Sequence, residues 1–213
     1  MRTDDLVAML ASGAGAVEPG ATARRYAAAL GWGAFGATLL MAIVLGVRSD
    51  LAAAVRLPMF WMKLAFPACL ALGALYAATR LSRPGVQLGR APAAIVAPVL
   101  ALWLLAAFVL ATADAGEREA LIFGSTWIVC PLLVAMLSLP VFVAAMWAMK
   151  GLAPTRLASA GAAAGLLAGS LGALIYALHC PEMEAPFLAI WYLLGMLIPT
   201  AAGALIGPRL LRW

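Results

Sequence analysis

The side chains in this sequence that could do chemistry are few. His179 and Cys180 are adjacent in the stretch LHCPE (178–182), with Glu182 and Glu184 just beyond; Cys130 precedes Pro131 in TWIVCPLL, and Cys69 stands apart. His179 is the only histidine and these are the only three cysteines. Thiols, an imidazole and carboxylates are donors for a soft or borderline metal ion, and two thiols facing an oxidising compartment can form a disulfide. Catalysis is poorly served. A single histidine cannot build a metal site with three protein ligands and an open position, and the cysteines do not form the C-x-x-C pair of a thiol oxidoreductase. The chain is therefore expected not to be an enzyme and to have no obligatory cofactor. Cys130 and Cys180 are the candidate pair, as a structural staple or as a redox or metal trigger. A transient heavy-metal ion there would have His179, Glu182 and Glu184 as accessory ligands.

Whether those groups meet depends on the elements that carry them. The chain has 213 residues, 66% of them hydrophobic, with 14 Lys or Arg against 9 Asp or Glu. A soluble domain cannot hide that much apolar surface. A membrane-crossing helix needs about 20 mostly apolar residues, and six such runs occur: 26–47, 57–79, 92–113, 130–149, 157–178 and 185–206. The expected fold is all-α, a polytopic six-helix transmembrane bundle over residues 26–213 behind an amino-terminal segment, 1–25. That segment lacks the apolar core of a signal peptide and is expected to be mature protein.

Positive residues set the orientation. Arg2, Arg24, Arg25, Arg80, Arg83, Arg90, Lys150, Arg156, Arg209 and Arg212 fall on one side, ten in all, against Arg48, Arg56 and Arg118 on the other, with Lys63 just inside the second run. Both termini are then cytoplasmic, and the acidic loops (Asp114, Glu117, Glu119; Glu182, Glu184) face outward. This asymmetry accounts for the net charge of +5, so no nucleic-acid partner is implied. Lys63 reads as an anchor that snorkels to the interface. The runs are otherwise almost free of ionisable groups, which tells against the rival from another class, a small transporter or channel with a structural disulfide.

Cys130 starts the fourth run and Cys180 lies at the outer end of the fifth. Nineteen steps of about 1.5 Å from Cys130 to Met149 span roughly the hydrocarbon thickness, so the two thiols are expected at one depth, on antiparallel neighbours. Cys69 falls near mid-bilayer and reads as a small apolar filler. Pro67, Pro98, Pro140 and Pro199 lie inside runs and are expected to kink them. Gly161, Gly165 and Gly169, four apart, allow close helix packing or self-pairing into a homo-oligomer. Trp61, Trp127 and Trp191 fall near the outer boundary and Trp32 and Trp147 near the inner one, as an aromatic belt.

The opening MRTDDLVAML reads as a short amphipathic helix capped by Thr3, with Asp4 and Asp5 at its positive end and Leu6, Met9 and Leu10 on one face. The Gly- and Ala-rich stretch 11–25 reads as a flexible tether. A helix this short is marginal alone, and its acidic face fits a basic protein groove better than anionic lipid.

Taken together, RTDDLVAML, FWMKLAF, TWIVCPLL, APTRLASAGAAAGLLAGSLGALIYALHCPE and the terminal LLRW resemble the NrsF-type bacterial membrane anti-sigma factors, over nearly the whole chain. The resemblance implies a six-span inner-membrane protein that negatively regulates an extracytoplasmic-function sigma factor. It implies that the cytoplasmic amino-terminal segment holds the sigma factor, through Asp4, Asp5, Leu6, Met9 and Leu10 here. It further implies that two outward-facing cysteines, mapping onto Cys130 and Cys180, couple heavy-metal or oxidative stress to release. Cys69 has no counterpart in that pattern.

Overall fold

The computed structural model describes residues 2–13, 20–83, 85–152 and 154–212. Among the described residues six helices are long and apolar enough to cross a membrane: Ala21–Val44, Pro58–Leu81, Ala91–Thr112, Cys130–Lys150, Leu157–Tyr176 and Ala185–Leu210, here the first to sixth spans. They match the runs expected from the sequence, with two shifts worth a reason. The first span starts at Ala21, because Gly20, with φ +80°, turns the chain into the helix, so Arg24 and Arg25 lie within its opening turns. The sixth runs on to Leu210. Four spans carry a proline in their first turn, where the missing N–H has no intrahelical acceptor to lose. Pro67, Pro98, Pro140 and Pro199 lie inside helices, joined by Pro208.

The fifth span is the most buried and the third the least. The fifth and sixth form the most extensive helix pair, and glycine explains it. A Cβ at Gly161 or Gly165 would collide with the carbonyl of Gly203 or Pro199, and one at Gly169 would lie 2.8 Å from the Met196 oxygen. The small-residue face expected on the fifth span is thus filled from within the chain, by a sixth span whose Pro199, Gly203 and Gly207 repeat the four-residue spacing. The first span rests on the fourth in the same way: a Cβ at Gly33 would lie 2.8 Å from the Val141 Cα, and one at Gly36 would lie 3.3 Å from the Pro140 ring.

Three expectations need correcting. Cys69 does not fill the core; it is exposed and lines an apolar groove with Met62, Ala65, Pro98 and Ala101 between the second and third spans. Thr3 is not the cap of the amino-terminal helix, which runs Thr3–Ser12 with Arg2 as N-cap. An arginine side chain has no acceptor to offer, and what closes the first turn is Asp5, whose carboxylate accepts the Arg2 backbone N–H at 3.3 Å. Lys63 is the third correction, taken up below. Of the expected tether, residues 11 and 12 complete the amino-terminal helix and 14–19 lie outside the described residues. Leu6, Val7, Met9 and Leu10 are all exposed, and nothing in that helix is buried.

Candidate functional site

Cys130 is the first residue of the fourth span, and Cys180 closes the turn after the fifth, its N–H donating to the Tyr176 carbonyl at 3.0 Å. Both are free thiols with no exposed surface. Tyr176 is buried in the same cluster as both of them. Tyr192 packs on Tyr176 with ring centroids 5.7 Å apart. It faces Cys180 from a π-helical turn, Leu188–Tyr192, in the sixth span. Among the described residues its buried hydroxyl has no hydrogen-bond partner. The structure therefore buries the two sequence-predicted thiols in one packed cluster with two phenols, the thiol chamber.

Lys63 does not snorkel. It has no exposed surface, and its ammonium donates to the carbonyls of Cys180 and Glu182, 2.7 Å each, while lying 5.4 Å from the Tyr192 ring centroid. Pro181 favours the end of the helical turn, and the Cys180 and Glu182 carbonyls fall in the non-helical stretch 180–184 between the fifth and sixth spans, where no helix supplies them a donor. A buried ammonium is costly unless its protons are matched, and these two oxygens match it.

Arg48 adds a second clamp on the same segment. Its guanidinium donates to the Cys180 carbonyl at 3.1 Å and grips Asp50 through two bonds of 2.7 Å. Its backbone N–H reaches the Leu178 carbonyl at 3.1 Å. Those side-chain bonds hold the Asp50 carboxyl below its usual range and raise Arg48 above its own. His179 and Glu182 are engaged elsewhere. His179 Nδ1 sits 2.9 Å from the Gly46 carbonyl, making Nδ1 the protonated nitrogen. The Glu182 carboxylate accepts from the Ser125 N–H at 2.8 Å and the Ser125 hydroxyl at 2.7 Å. Gly124, with φ +53°, makes that seat possible, since a Cβ there would lie 2.6 Å from a Glu182 oxygen. Trp191, beside Trp127, donates its Nε1 proton to the Ile122 carbonyl at 2.8 Å.

Among the described residues no three of His, Cys, Asp and Glu converge on a metal position. The accessory set of His179, Glu182 and Glu184 is therefore not assembled around the thiols. Two sulfurs alone suit a soft ion of low coordination number, and do not suit a four-coordinate zinc site. Among the described residues the buried serines Ser82, Ser138 and Ser170 each donate to a carbonyl of their own helix. The groups that sequence reasoning missed are Lys63 in its inward role, Arg48, Tyr176 and Tyr192. Only Pro181 signalled any of them, by implying unpaired carbonyls that some donor must meet.

Comparison with known proteins gives one consistent result. A family model described as NrsF, negative regulator of sigma F, matches residues 10–213. A protein of Azospira oryzae named probable anti-sigma-F factor NrsF is 59% identical over 213 residues, covering all of both chains. The anti-sigma-F factor NrsF of Caulobacter vibrioides is 40% identical over 215 residues, again across both full lengths. No solved structure matches.

Proposed function

Because the chain belongs to the NrsF family of negative regulators of sigma F, we propose that it is a non-enzymatic anti-sigma factor of the bacterial inner membrane, and that it holds an extracytoplasmic-function sigma factor through its amino-terminal helix. Both termini face the cytoplasm, as the ten positive residues on that side favour. The thiol end faces the periplasm, and modification of Cys130 and Cys180 by a heavy-metal ion or an oxidant loosens the hold. The observation that carries this reading is the amino-terminal helix, whose Leu6, Val7, Met9 and Leu10 stay exposed. An amphipathic helix with that stripe uncovered is suited to a groove on another protein, and Asp4 and Asp5 suit a basic one.

The chamber supports the sensing half. Two buried thiols packed in one cluster can be bridged by a soft ion, which displaces their protons, or joined as a disulfide, two protons and two electrons passing to the oxidant. Either event acts on the residue whose carbonyl Lys63 and Arg48 clamp. Shifting occupancy from 99:1 to 1:99 takes about 5.5 kcal/mol of differential free energy, a scale that thiolate–metal or disulfide bonds reach.

The test is co-purification from mild detergent. Deleting residues 2–12 is expected to free the sigma factor, whereas Cys130→Ser with Cys180→Ser is expected to keep it bound and blunt the response to metal or oxidant. Unchanged retention after the deletion refutes the binding element, and a full response in the double variant refutes the trigger.

A further inference from the structure

The first span begins where the amino-terminal segment ends, and two side chains fix that starting point. Arg25 reaches the far end of the fourth span, its Nε donating to the Ala148 carbonyl at 2.9 Å and an Nη to the Trp147 carbonyl at 3.2 Å. Those oxygens belong to the last turn of a helix ending at Lys150, where carbonyls lack intrahelical donors and a cation is favoured by the helix dipole. The guanidinium also stacks 4.5 Å from the Trp147 ring centroid. It occupies the space a side chain at Gly151 would need, since a Cβ there would fall on it. The neighbouring Tyr26 is buried, and its hydroxyl lies 2.8 Å from the Ser82 hydroxyl just beyond the second span.

The second and fourth spans thus both hold the root of the amino-terminal segment, and their opposite ends carry Lys63 and Cys130. The distances are about 29 Å from Lys63 to Ser82 and about 27 Å from Cys130 to Ala148 at 1.5 Å per residue. Pro67 and Pro140 each remove one backbone bond, yet both helices run unbroken between these ends, so a slide along the axis imposed at one end is passed to the other. The first span leans on the fourth along the way, through Gly33 and Gly36 at Pro140 and Val141.

We infer that Arg25 and Tyr26 are positioning residues for the amino-terminal segment, forming a clasp that the second and fourth spans work from the thiol chamber. This rests on the reading of that segment as the sigma-binding element. With the clasp closed, the foot of the segment is held at the ends of the second and fourth spans, which limits the space its helix can search and raises the effective concentration of the binding element; when the chamber rearranges, the carbonyls of Trp147 and Ala148 and the Ser82 hydroxyl move away from Arg25 and Tyr26, and retention falls.

The experiment uses the full chain in nanodiscs with its co-purifying sigma factor, and methyl methanethiosulfonate as the thiol probe. Arg25→Gln and Gly151→Ala are expected to lower resting retention at least tenfold, Arg25→Lys to keep most of it, and Tyr26→Phe to lower it about threefold. In each, the thermal midpoint should stay near the wild-type value, and in Arg25→Gln and Gly151→Ala reaction of Cys130 and Cys180 with the probe should cause little further loss of retention, because the clasp through which it acts is already open. A contact that merely held the fold together would instead lower the midpoint in step with retention and leave the probe's effect intact, and that result overturns the proposal. Wild-type retention in both Arg25→Gln and Gly151→Ala overturns it alone, provided deletion of residues 2–12 abolishes binding. If that deletion has no effect, the binding reading and the clasp fall together.

Discussion

Replacing Lys63 by methionine keeps most of the aliphatic stem and removes the ammonium, so it isolates the charge from the packing. Two bonds of 2.7 Å to the Cys180 and Glu182 carbonyls are lost, while Arg48 remains on the former at 3.1 Å. Hydrogen bonds to charged groups contribute about 1.5–3 kcal/mol each. The cost of dehydrating the ammonium opposes them, which leaves a net latch of about 2 kcal/mol, or roughly a 30-fold change in local opening. Hydrogen exchange at the His179 and Cys180 amides, both bonded to the Tyr176 carbonyl, reads that opening directly. In Lys63→Met these two amides should exchange roughly 30 times faster, with the change confined to the 178–182 segment and its contacts. Unchanged exchange would show that Arg48 alone holds the segment. Slower exchange would show that the buried charge strains the chamber and does not latch it.

Other perturbations follow from the same contacts. Gly165→Ala should lower the thermal midpoint by an overpacking cost of about 1–3 kcal/mol, because the new methyl meets the Pro199 carbonyl. Gly31→Ala, with open space around it, should gain about 0.5–1 kcal/mol of helix stability, and equal shifts in the two variants would refute the seam. Gly124→Ala should cost about 1–3 kcal/mol and unseat Glu182 from Ser125, visible as faster exchange at the Ser125 amide. Since Asp50 is held below its ordinary value by Arg48, the pair's contribution is complete above about pH 5 and fades as acid protonates the carboxylate. The midpoint difference between wild type and Asp50→Asn should therefore be flat at neutral pH and close in acid.

The six spans were legible because each is an apolar run bounded by charge or proline, and Cys130 at a helix start was read correctly from its neighbour Pro131. Placing both thiols at one depth needed only the rise per residue. What the sequence does not encode locally is which way a side chain turns. Lys63 lies close enough to a span end to snorkel, and only the carbonyls freed by Pro181, over a hundred residues later, decide that it turns inward. The glycine spacing in the fifth span showed that a backbone would approach but not whose. Cys69, on a helix face like any other, ends in a groove because the third span packs beside it without covering it.

The glycine-to-carbonyl seam between the fifth and sixth spans has a mechanical consequence. Side chains that slide past one another give a joint play, but two backbones meeting directly have no such slack, and this pair must behave as one slab. It is the stator of the molecule. Tyr176 and Tyr192 are mounted on it, so under the proposed trigger a displacement born at the sulfurs would be shed into the helices bearing against it.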